Sequence, residues 1–177
     1  MGEIILITGD LESGKTNLCL DLFQAARELG FRVGGVVSPA VFEGDQKIAI
    51  DVLDLKSGIR KRLATRGAHQ QSSLETKRWS FYPEAVDWAN WKLLESVPCD
   101  LLIVDELGPL EFQRHEGWVN GFSALESGEF QLAFVVIRPS LIEKAAKRWS
   151  ISRTIDLDDA DTDLLEAARL LKSLKSD

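Results

Sequence analysis

Short apolar runs alternate along the chain with longer segments in which apolar residues recur every three or four positions. A short apolar run bounded by turn residues is typical of a strand buried on both faces, and the second spacing is typical of an amphipathic helix. Their alternation predicts an α/β fold, with a mainly parallel central sheet flanked by helices and joined by right-handed crossovers. The predicted strands are 4–7, 31–38, 101–104, 132–137 and 151–157. The predicted helices are 15–29, 83–97, 116–126, 139–148 and a last one that starts at Asp161 or Thr162 and ends near 174.

Residues 40–64 depart from this alternation. Short strands there are separated by turns at Gly44 and Gly58, which predicts an antiparallel β-meander inserted into the parallel fold. Polarity alternates over 48–53, with Ile50 on one face and Asp51 on the other. That alternation predicts a half-buried strand.

Residues 65–77 form the longest stretch without apolar periodicity. Such a segment is either a mobile surface loop or a lid that closes over phosphate chemistry, and the sequence leaves both interpretations open. A short aromatic strand at 79–82 follows, and Pro83 then opens a helix. The tryptophans of that helix, Trp88 and Trp91, are expected in the core rather than on a surface that stacks nucleobases.

The composition fits one globular domain over residues 1–177, with 45% hydrophobic residues available for a core. The net charge of −7 argues against a general surface for nucleic acid or anionic membrane, so neither partner is expected. Cys19 and Cys99 are expected to be small core residues. No signal peptide or membrane-length apolar run is present in the sequence, so a cytoplasmic location is expected. The oligomeric state stays open, and a monomer is one possibility.

The most informative motif lies between the first predicted strand and the first predicted helix. Residues 9–16 read Gly-Asp-Leu-Glu-Ser-Gly-Lys-Thr, which is a complete G-x-x-x-x-G-K-[ST] phosphate-binding loop. In such a loop backbone N–H groups surround a phosphate, the helix dipole points at the same anion, and the lysine reaches the β- and γ-phosphates. The residues predicted to contact the nucleotide are Gly9, Asp10, Leu11, Glu12, Ser13, Gly14, Lys15, Thr16 and Asn17.

Two carboxylates of this loop, Asp10 and Glu12, sit unfavourably beside a polyphosphate unless they point outward or a cation is present. We therefore expect weak nucleotide binding without Mg²⁺. The hydroxyl of Thr16 is a predicted ligand of that ion.

A second motif supplies the other half of a phosphate site. The apolar strand 101–104 ends in Asp105-Glu106. An aspartate at the end of a neighbouring buried strand can hold Mg²⁺ through its water shell, so Thr16 and Asp105 are the predicted metal residues. Glu106 is then placed to accept a proton from an attacking water, although it could also be a solvated loop carboxylate.

Transfer of a phosphoryl group usually needs an arginine to stabilise the charge on its oxygens. The candidates are Arg66 and Arg78, which flank the polar segment, and Arg138 at the end of a central strand. Arg138 is attractive because the ends of parallel strands line the ligand crevice of such sheets. The predicted catalytic residues are Lys15, Glu106, Arg138 and Arg66.

Residues 105–111, Asp-Glu-Leu-Gly-Pro-Leu-Glu, resemble the Asp-Glu-Ile-Gly-Pro-Met-Glu signature of a family of small nucleoside-triphosphatases. That family is known from thermophilic microbes and from a human cancer-related relative. Gly34-Gly35-Val36 is similar to its Gly-Gly-Phe strand, and 54–58 to its hairpin. The two glycines also indicate a close backbone neighbour. The resemblance covers most of the chain.

The resemblance implies a RecA-like phosphate-loop fold and slow, Mg²⁺-dependent hydrolysis of ATP, GTP and other nucleoside triphosphates. It implies nucleotide contacts by the phosphate loop, a metal-side role for Asp105 and a catalytic base at Glu106. Glu111 is carried over as a motif residue without an assigned role. The family pattern has glycine where this chain has Glu12, and His-Arg where it has Ile137-Arg138.

Two further classes of function use the same residues. A kinase would pass the γ-phosphate to a small metabolite or nucleotide, with Glu106 activating a hydroxyl group. A non-enzymatic nucleotide switch would bind tightly, turn over negligibly and change its affinity for a partner. The sequence favours hydrolysis only through the resemblance, and no motif identifies a preferred base.

Overall fold

A computed structural model of the chain describes residues 2–67, 79–159 and 164–173. Within these residues, nine strands form one sheet and five α-helices pack against it. The strands are β1 (Glu3–Thr8), β2 (Val33–Val37), β3 (Ala40–Glu43), β4 (Gln46–Asp54), β5 (Arg60–Arg66), β6 (Trp79–Phe81), β7 (Leu101–Leu107), β8 (Leu132–Ile137) and β9 (Ile151–Asp156). The helices are α1 (Lys15–Glu28), α2 (Pro83–Glu95), α3 (Asn120–Ser127), α4 (Ile142–Arg148) and α5 (Leu164–Ser173). A π-helical turn covers Leu110–Arg114, and a 3₁₀ turn covers Pro139–Leu141.

The strands are ordered β6-β5-β4-β2-β7-β8-β1-β9, and β3 pairs with β4 outside this path. All pairings among β2, β7, β8, β1 and β9 are parallel. The predicted α/β fold is therefore confirmed. Because β8 lies between β1 and β7, the carboxyl ends of these three strands meet at one edge, where ligands bind in open parallel sheets.

The β-meander is also confirmed, and it extends the main sheet. Strands β3 to β6 pair antiparallel, and β4 joins the parallel part through β2. The half-buried alternation predicted over 48–53 is wrong, because Ala49 and Asp51 are buried whereas Ile48 and Ile50 are only partly buried. Asp51 tolerates burial because Nε of Arg62 donates a hydrogen bond to its carboxylate over 2.6 Å.

The hydrophobic core has two parts, one on each face of the sheet. Helices α1 and α5 cover one face, and α2, α3 and α4 cover the other. Strand β1 contributes to both parts, since Ile5, Leu6 and Ile7 are fully buried. Burial of each such side chain contributes roughly 1.5–3 kcal/mol. Cys19 and Cys99 are buried free thiols, as predicted.

Helix α2 turns a different side toward the core than the sequence indicates. Its buried residues are Ala85, Val86, Ala89 and Leu93. Trp91 is 58% exposed, so its predicted place in the core is wrong. Trp88 is half-buried and packs against the core. The sequence pattern allows either side, and the sheet selects the one with the smaller residues.

Two consecutive glycines let β2 approach its neighbours closely. A Cβ atom on Gly34 would lie 2.1 Å from the carbonyl oxygen of Ser96, and one on Gly35 would lie 1.8 Å from that of Ile103. Real Cβ atoms do not come this close to backbone atoms. The prediction of a close backbone neighbour is confirmed, and no other residue fits either position.

The helix predicted over 116–126 begins later, at Asn120, because Gly117 has a φ of +75° and cannot be helical. Thr65 and Arg66, assigned above to the polar segment, are the last residues of β5. The rest of that segment, with Arg78, and the predicted cap at Asp161 or Thr162 lie outside the described residues. Among the described helices, none combines the length and apolar character needed to cross a bilayer.

Candidate active site

The phosphate loop occupies residues 9–14, directly between β1 and α1. Helix α1 begins at Lys15, and its first helical hydrogen bond runs from the Leu18 N–H to the Gly14 carbonyl over 3.0 Å. Gly9 and Gly14 have φ values of 140° and 96°, which side chains with a Cβ rarely adopt. The free N–H groups of the first helical turn form an anion-binding position at the end of the sheet.

The Lys15 ammonium group folds back onto the loop. Its Nζ donates to the carbonyl oxygens of Gly9, at 2.8 Å, and of Asp10, and to Oγ of Ser13 at 3.2 Å. A positive charge is therefore held beside the same loop whose amides attract phosphate.

The two loop carboxylates are exposed, as required for a polyphosphate to approach. The backbone N–H of Asp10 donates to the carboxylate of Asp158, which fastens the first part of the loop to the residues after β9. Glu12 has a φ of +64°, in the left-handed region that glycine prefers. This conformation gives a physical reason why glycine suits position 12 better than glutamate.

Asp105 lies at the end of β7 and is 4% exposed. Its Oδ2 accepts two hydrogen bonds of 2.9 Å, one from the Thr16 hydroxyl and one from the Ser38 N–H. Burial raises the pKa of the Asp105 carboxyl to about 6, against the lowering effect of these two donors. The nearby charge of Glu106 raises it further.

A carboxylate and a hydroxyl group beside a phosphate loop form a donor set that suits Mg²⁺. This ion keeps several waters and usually takes one or two protein oxygens together with substrate phosphates. In residues 2–67, 79–159 and 164–173, no three His, Cys, Asp or Glu side chains form a cluster that could hold a metal ion. Within the described chain, Thr16 and Asp105 therefore fit an ion shared with a phosphate better than a metal held by protein alone.

A β-bulge in β7 makes the side chains of Asp105 and Glu106 point in different directions. The β7–β8 register pairs Val104 with Val135 and then Leu107 with Ile137, so β7 has one extra residue. A bulge of this kind redirects side chains, and it is common beside active sites. Here the Asp105 side chain is buried against α1, whereas Glu106 reaches the cleft.

Glu106 forms an ion pair with Arg138, in which the guanidinium Nε donates to Oε1. Arg138 follows β8, the strand between those that carry the loop and Glu106. Glu106 has a φ of +86°, which costs a non-glycine residue on the order of 1 kcal/mol. The fold therefore holds this carboxylate at some conformational cost.

A cleft of about 780 Å³ opens in front of the loop. It is lined by the loop from Leu11 onward, the start of α1, Ser38, Glu106, Arg66 and the β3–β4 hairpin. The structure therefore places Arg66 at the cleft and pairs Arg138 with the carboxylate of Glu106. Arg78 lies outside the described residues.

Comparison with known proteins agrees with this geometry. A family model described as NTPase matches residues 4–162. The chain belongs to this NTPase family. Nucleoside-triphosphatase THEP1 of Methanopyrus kandleri is 33% identical over 116 residues, which cover 65% of this chain and 63% of that protein. THEP1 of Methanocaldococcus jannaschii is 24% identical over 163 residues, covering 79% and 93% of the two chains.

Two solved structures have the same fold as this chain. The solution structure of a human cancer-related nucleoside triphosphatase matches with a TM-score of 0.69 and 17% identity, over 99% of this chain and 98% of that one. The crystal structure of THEP1 from Aquifex aeolicus matches with a TM-score of 0.59 and 17% identity, over 96% and 99%. The predicted RecA-like phosphate-loop fold is therefore confirmed.

The role of Glu111 in the fold follows from its contacts. Its buried carboxylate accepts hydrogen bonds from the N–H groups of Gly108, at 2.8 Å, and Trp118, at 2.9 Å. It thereby fixes the turn that follows Glu106. A glutamate that reaches back to an N–H three residues earlier is one half of a capping box, and Gly108 has no side chain to complete the other half. The sequence therefore carried only a partial signal for this role.

Proposed function

We propose that this chain hydrolyses nucleoside 5′-triphosphates, ATP and GTP among them, to the diphosphate and phosphate in a Mg²⁺-dependent reaction. The observation that carries the proposal is the hydrogen bond between Thr16 and Asp105, which joins the phosphate loop to the strand that bears Glu106. The NTPase family model and the names of the similar curated proteins also support it.

Binding begins at the loop. The backbone N–H groups of the first turn of α1 donate hydrogen bonds to the phosphate oxygens, and Lys15 exchanges its loop carbonyl partners for the β- and γ-phosphates. Thr16 and Asp105 would hold Mg²⁺, which would supply positive charge beside the phosphate oxygens.

The reaction then depends on the pair formed by Glu106 and Arg138. Without a bound nucleotide, the Glu106 carboxylate and the Arg138 guanidinium form an ion pair with each other. A γ-phosphate competes with Glu106 for the guanidinium, because Arg138 follows the strand between the loop and β7. Once released, Glu106 accepts the proton of the attacking water, and Arg138 stabilises charge on the transferred phosphoryl group.

The variant Glu106→Gln tests the proposal. It keeps the shape of the side chain and removes the base, so we expect nucleotide binding close to that of the wild type and turnover lowered at least a hundredfold. Phosphate release and calorimetric nucleotide titration measure the two properties separately. Glu143→Gln, an exposed site on α4, is the matched control. Unchanged turnover in Glu106→Gln would rule out this base.

The same assay decides which arginine acts. Arg138→Ala should lower kcat about a hundredfold with little change in KM, whereas Arg66→Ala should mainly raise KM if that residue only binds. A loss of kcat in Arg66→Ala, with kcat of Arg138→Ala unchanged, would assign the stabilisation of the transferred phosphoryl group to Arg66.

The alternative functions give different results. Phosphate transfer that speeds up with an added metabolite would indicate a kinase, and tight nucleotide binding without turnover would indicate a switch.

A further inference from the structure

The cleft contains two large apolar side chains that are exposed. Over the described residues, the large hydrophobic side chains with high exposure are Leu11, Phe42, Ile59, Trp91 and Leu94. Leu11, on the loop, is 74% exposed and Phe42, on β3, is 59% exposed. These two line the cleft and the other three do not. Exposed apolar surface of this kind inside a ligand cleft indicates a contact with an apolar part of the ligand.

The other residues of the hairpin restrict what that ligand part can be. Glu43 and Asp45 line the same side of the cleft, with Gln46 and Lys47 beside them. An anionic group of the ligand, in addition to its phosphates, would be repelled there by these two carboxylates. A flat, uncharged group meets no such repulsion, and it can take hydrogen bonds from Gln46 and stack on Phe42.

The volume of the cleft admits a whole nucleotide. At about 780 Å³ it lies within the range of typical small-molecule sites. A triphosphate on the loop uses the end formed by residues 12–17. The nucleoside must then extend from that end, and the cleft continues toward the β3–β4 hairpin.

We propose that the nucleobase of the bound triphosphate stacks on Phe42, with Leu11 bordering the same space; this rests on the function proposed above. Every base presents a π-face, so stacking binds purines and pyrimidines with little discrimination. The chain therefore gains affinity from the base without selecting a particular one. Phe42 acts in binding and has no part in the chemical step.

The test compares substrates that differ only in whether they carry a base. Kinetics of Phe42→Ala and Phe42→Tyr are measured with ATP, GTP, UTP and inorganic tripolyphosphate. For Phe42→Ala we expect KM to rise about tenfold for all three nucleotides, with kcat within twofold and tripolyphosphate unaffected. Phe42→Tyr should restore the nucleotide KM. Trp91→Ala, an equally exposed aromatic position outside the cleft, is the control.

Two results would overturn the proposal. An equal rise of KM for tripolyphosphate would mean that Phe42 shapes the loop, and an unchanged KM for all nucleotides would place the base elsewhere. Equilibrium binding of ADP and of tripolyphosphate to the same variants tests stacking without turnover. If wild-type protein binds ADP and tripolyphosphate but hydrolyses none of ATP, GTP and UTP, the proposed function fails while the stacking proposal is still decided.

Discussion

The Thr16 hydroxyl donates a hydrogen bond of 2.9 Å to Oδ2 of Asp105, across a sequence separation of 89 residues. It links the first residues of α1 to the end of β7, although β8 lies between the strands that carry the two motifs. The same carboxylate oxygen also accepts the Ser38 N–H at the end of β2. One oxygen atom thus fixes the positions of three chain segments around the expected metal position.

Asp105→Asn should separate the structural task of this residue from its electrostatic task. The amide oxygen can accept the same two hydrogen bonds, so we expect an intact fold. The ionic attraction for Mg²⁺ is lost, and the strengthening of nucleotide binding by Mg²⁺ should fall about 10- to 100-fold. Calorimetric titration of ADP with and without Mg²⁺ measures this effect. Asp87→Asn on the exposed side of α2 is the control, and an unchanged Mg²⁺ effect in Asp105→Asn would contradict the assignment.

Replacing Glu106 by glycine should stabilise the fold relative to Glu106→Gln. Both variants lose the base and the ion pair, but only glycine relieves the φ of +86°. We expect Glu106→Gly to unfold with a free energy about 1 kcal/mol higher than that of Glu106→Gln, as measured by urea denaturation. Equal stabilities would show that this backbone conformation carries no cost.

Glu12 combines a charge and a strained backbone, and two variants distinguish them. Glu12→Gln removes the charge alone, and Glu12→Gly removes both. Without Mg²⁺, both should bind ATP roughly two- to fivefold more tightly, because a carboxylate no longer faces the polyphosphate. Only Glu12→Gly should also unfold at higher urea concentration. Tighter binding in the glycine variant alone would assign the effect to loop conformation.

Glu111 should be important for stability despite its place in a functional motif. Glu111→Ala leaves the N–H groups of Gly108 and Trp118 without their acceptor. Each buried unpaired donor costs about 1–3 kcal/mol, so for the two donors we expect a loss of about 2–6 kcal/mol in the free energy of unfolding. Urea denaturation measures the loss, and a variant as stable as wild type would show that water replaces the carboxylate.

The pH dependence of stability gives a separate test of Glu111. Burial raises the pKa of this carboxyl above its ordinary value of 4.5, so the folded state holds the proton more tightly than the unfolded state. The resulting stabilisation is fully present below pH 4.5 and is lost as the pH rises through the raised pKa. Glu111→Gln lacks this titration. The stability of wild type relative to Glu111→Gln should therefore fall above pH 4.5, and a rise with pH would contradict the assignment.

Local pattern was enough to predict most elements of the fold. The apolar runs that became β1, β7 and β8 are typical buried strands, and the meander is marked by its turns. The exposure of Trp91 could not be predicted, since a helix with apolar residues on several sides can be packed in more than one rotation. Which side is buried depends on the sheet that receives it.

The site was predictable only as far as its motifs are local. The loop and Asp105-Glu106 are contiguous segments, so their residue types and spacing were visible. The pairing of Glu106 with Arg138 depends on strand order, which places β8 between the two motifs. The bulge depends on register between β7 and β8, and neither strand carries a local signal for it. The roles assigned to these residues stay predictions.

The continuity of the sheet has a mechanical consequence for the cleft. Strand β2 pairs with β7 on one side and with β4 on the other, and the Leu55 N–H also bonds to the Gly35 carbonyl. The base of the hairpin that carries Phe42 is thus joined to the β7 side of the site by backbone hydrogen bonds, through the pairing of Leu53 and Asp54 with β2. Moving that base away from β7 would require breaking this ladder. The wall of the cleft opposite the phosphate loop therefore starts from a place that strand spacing sets.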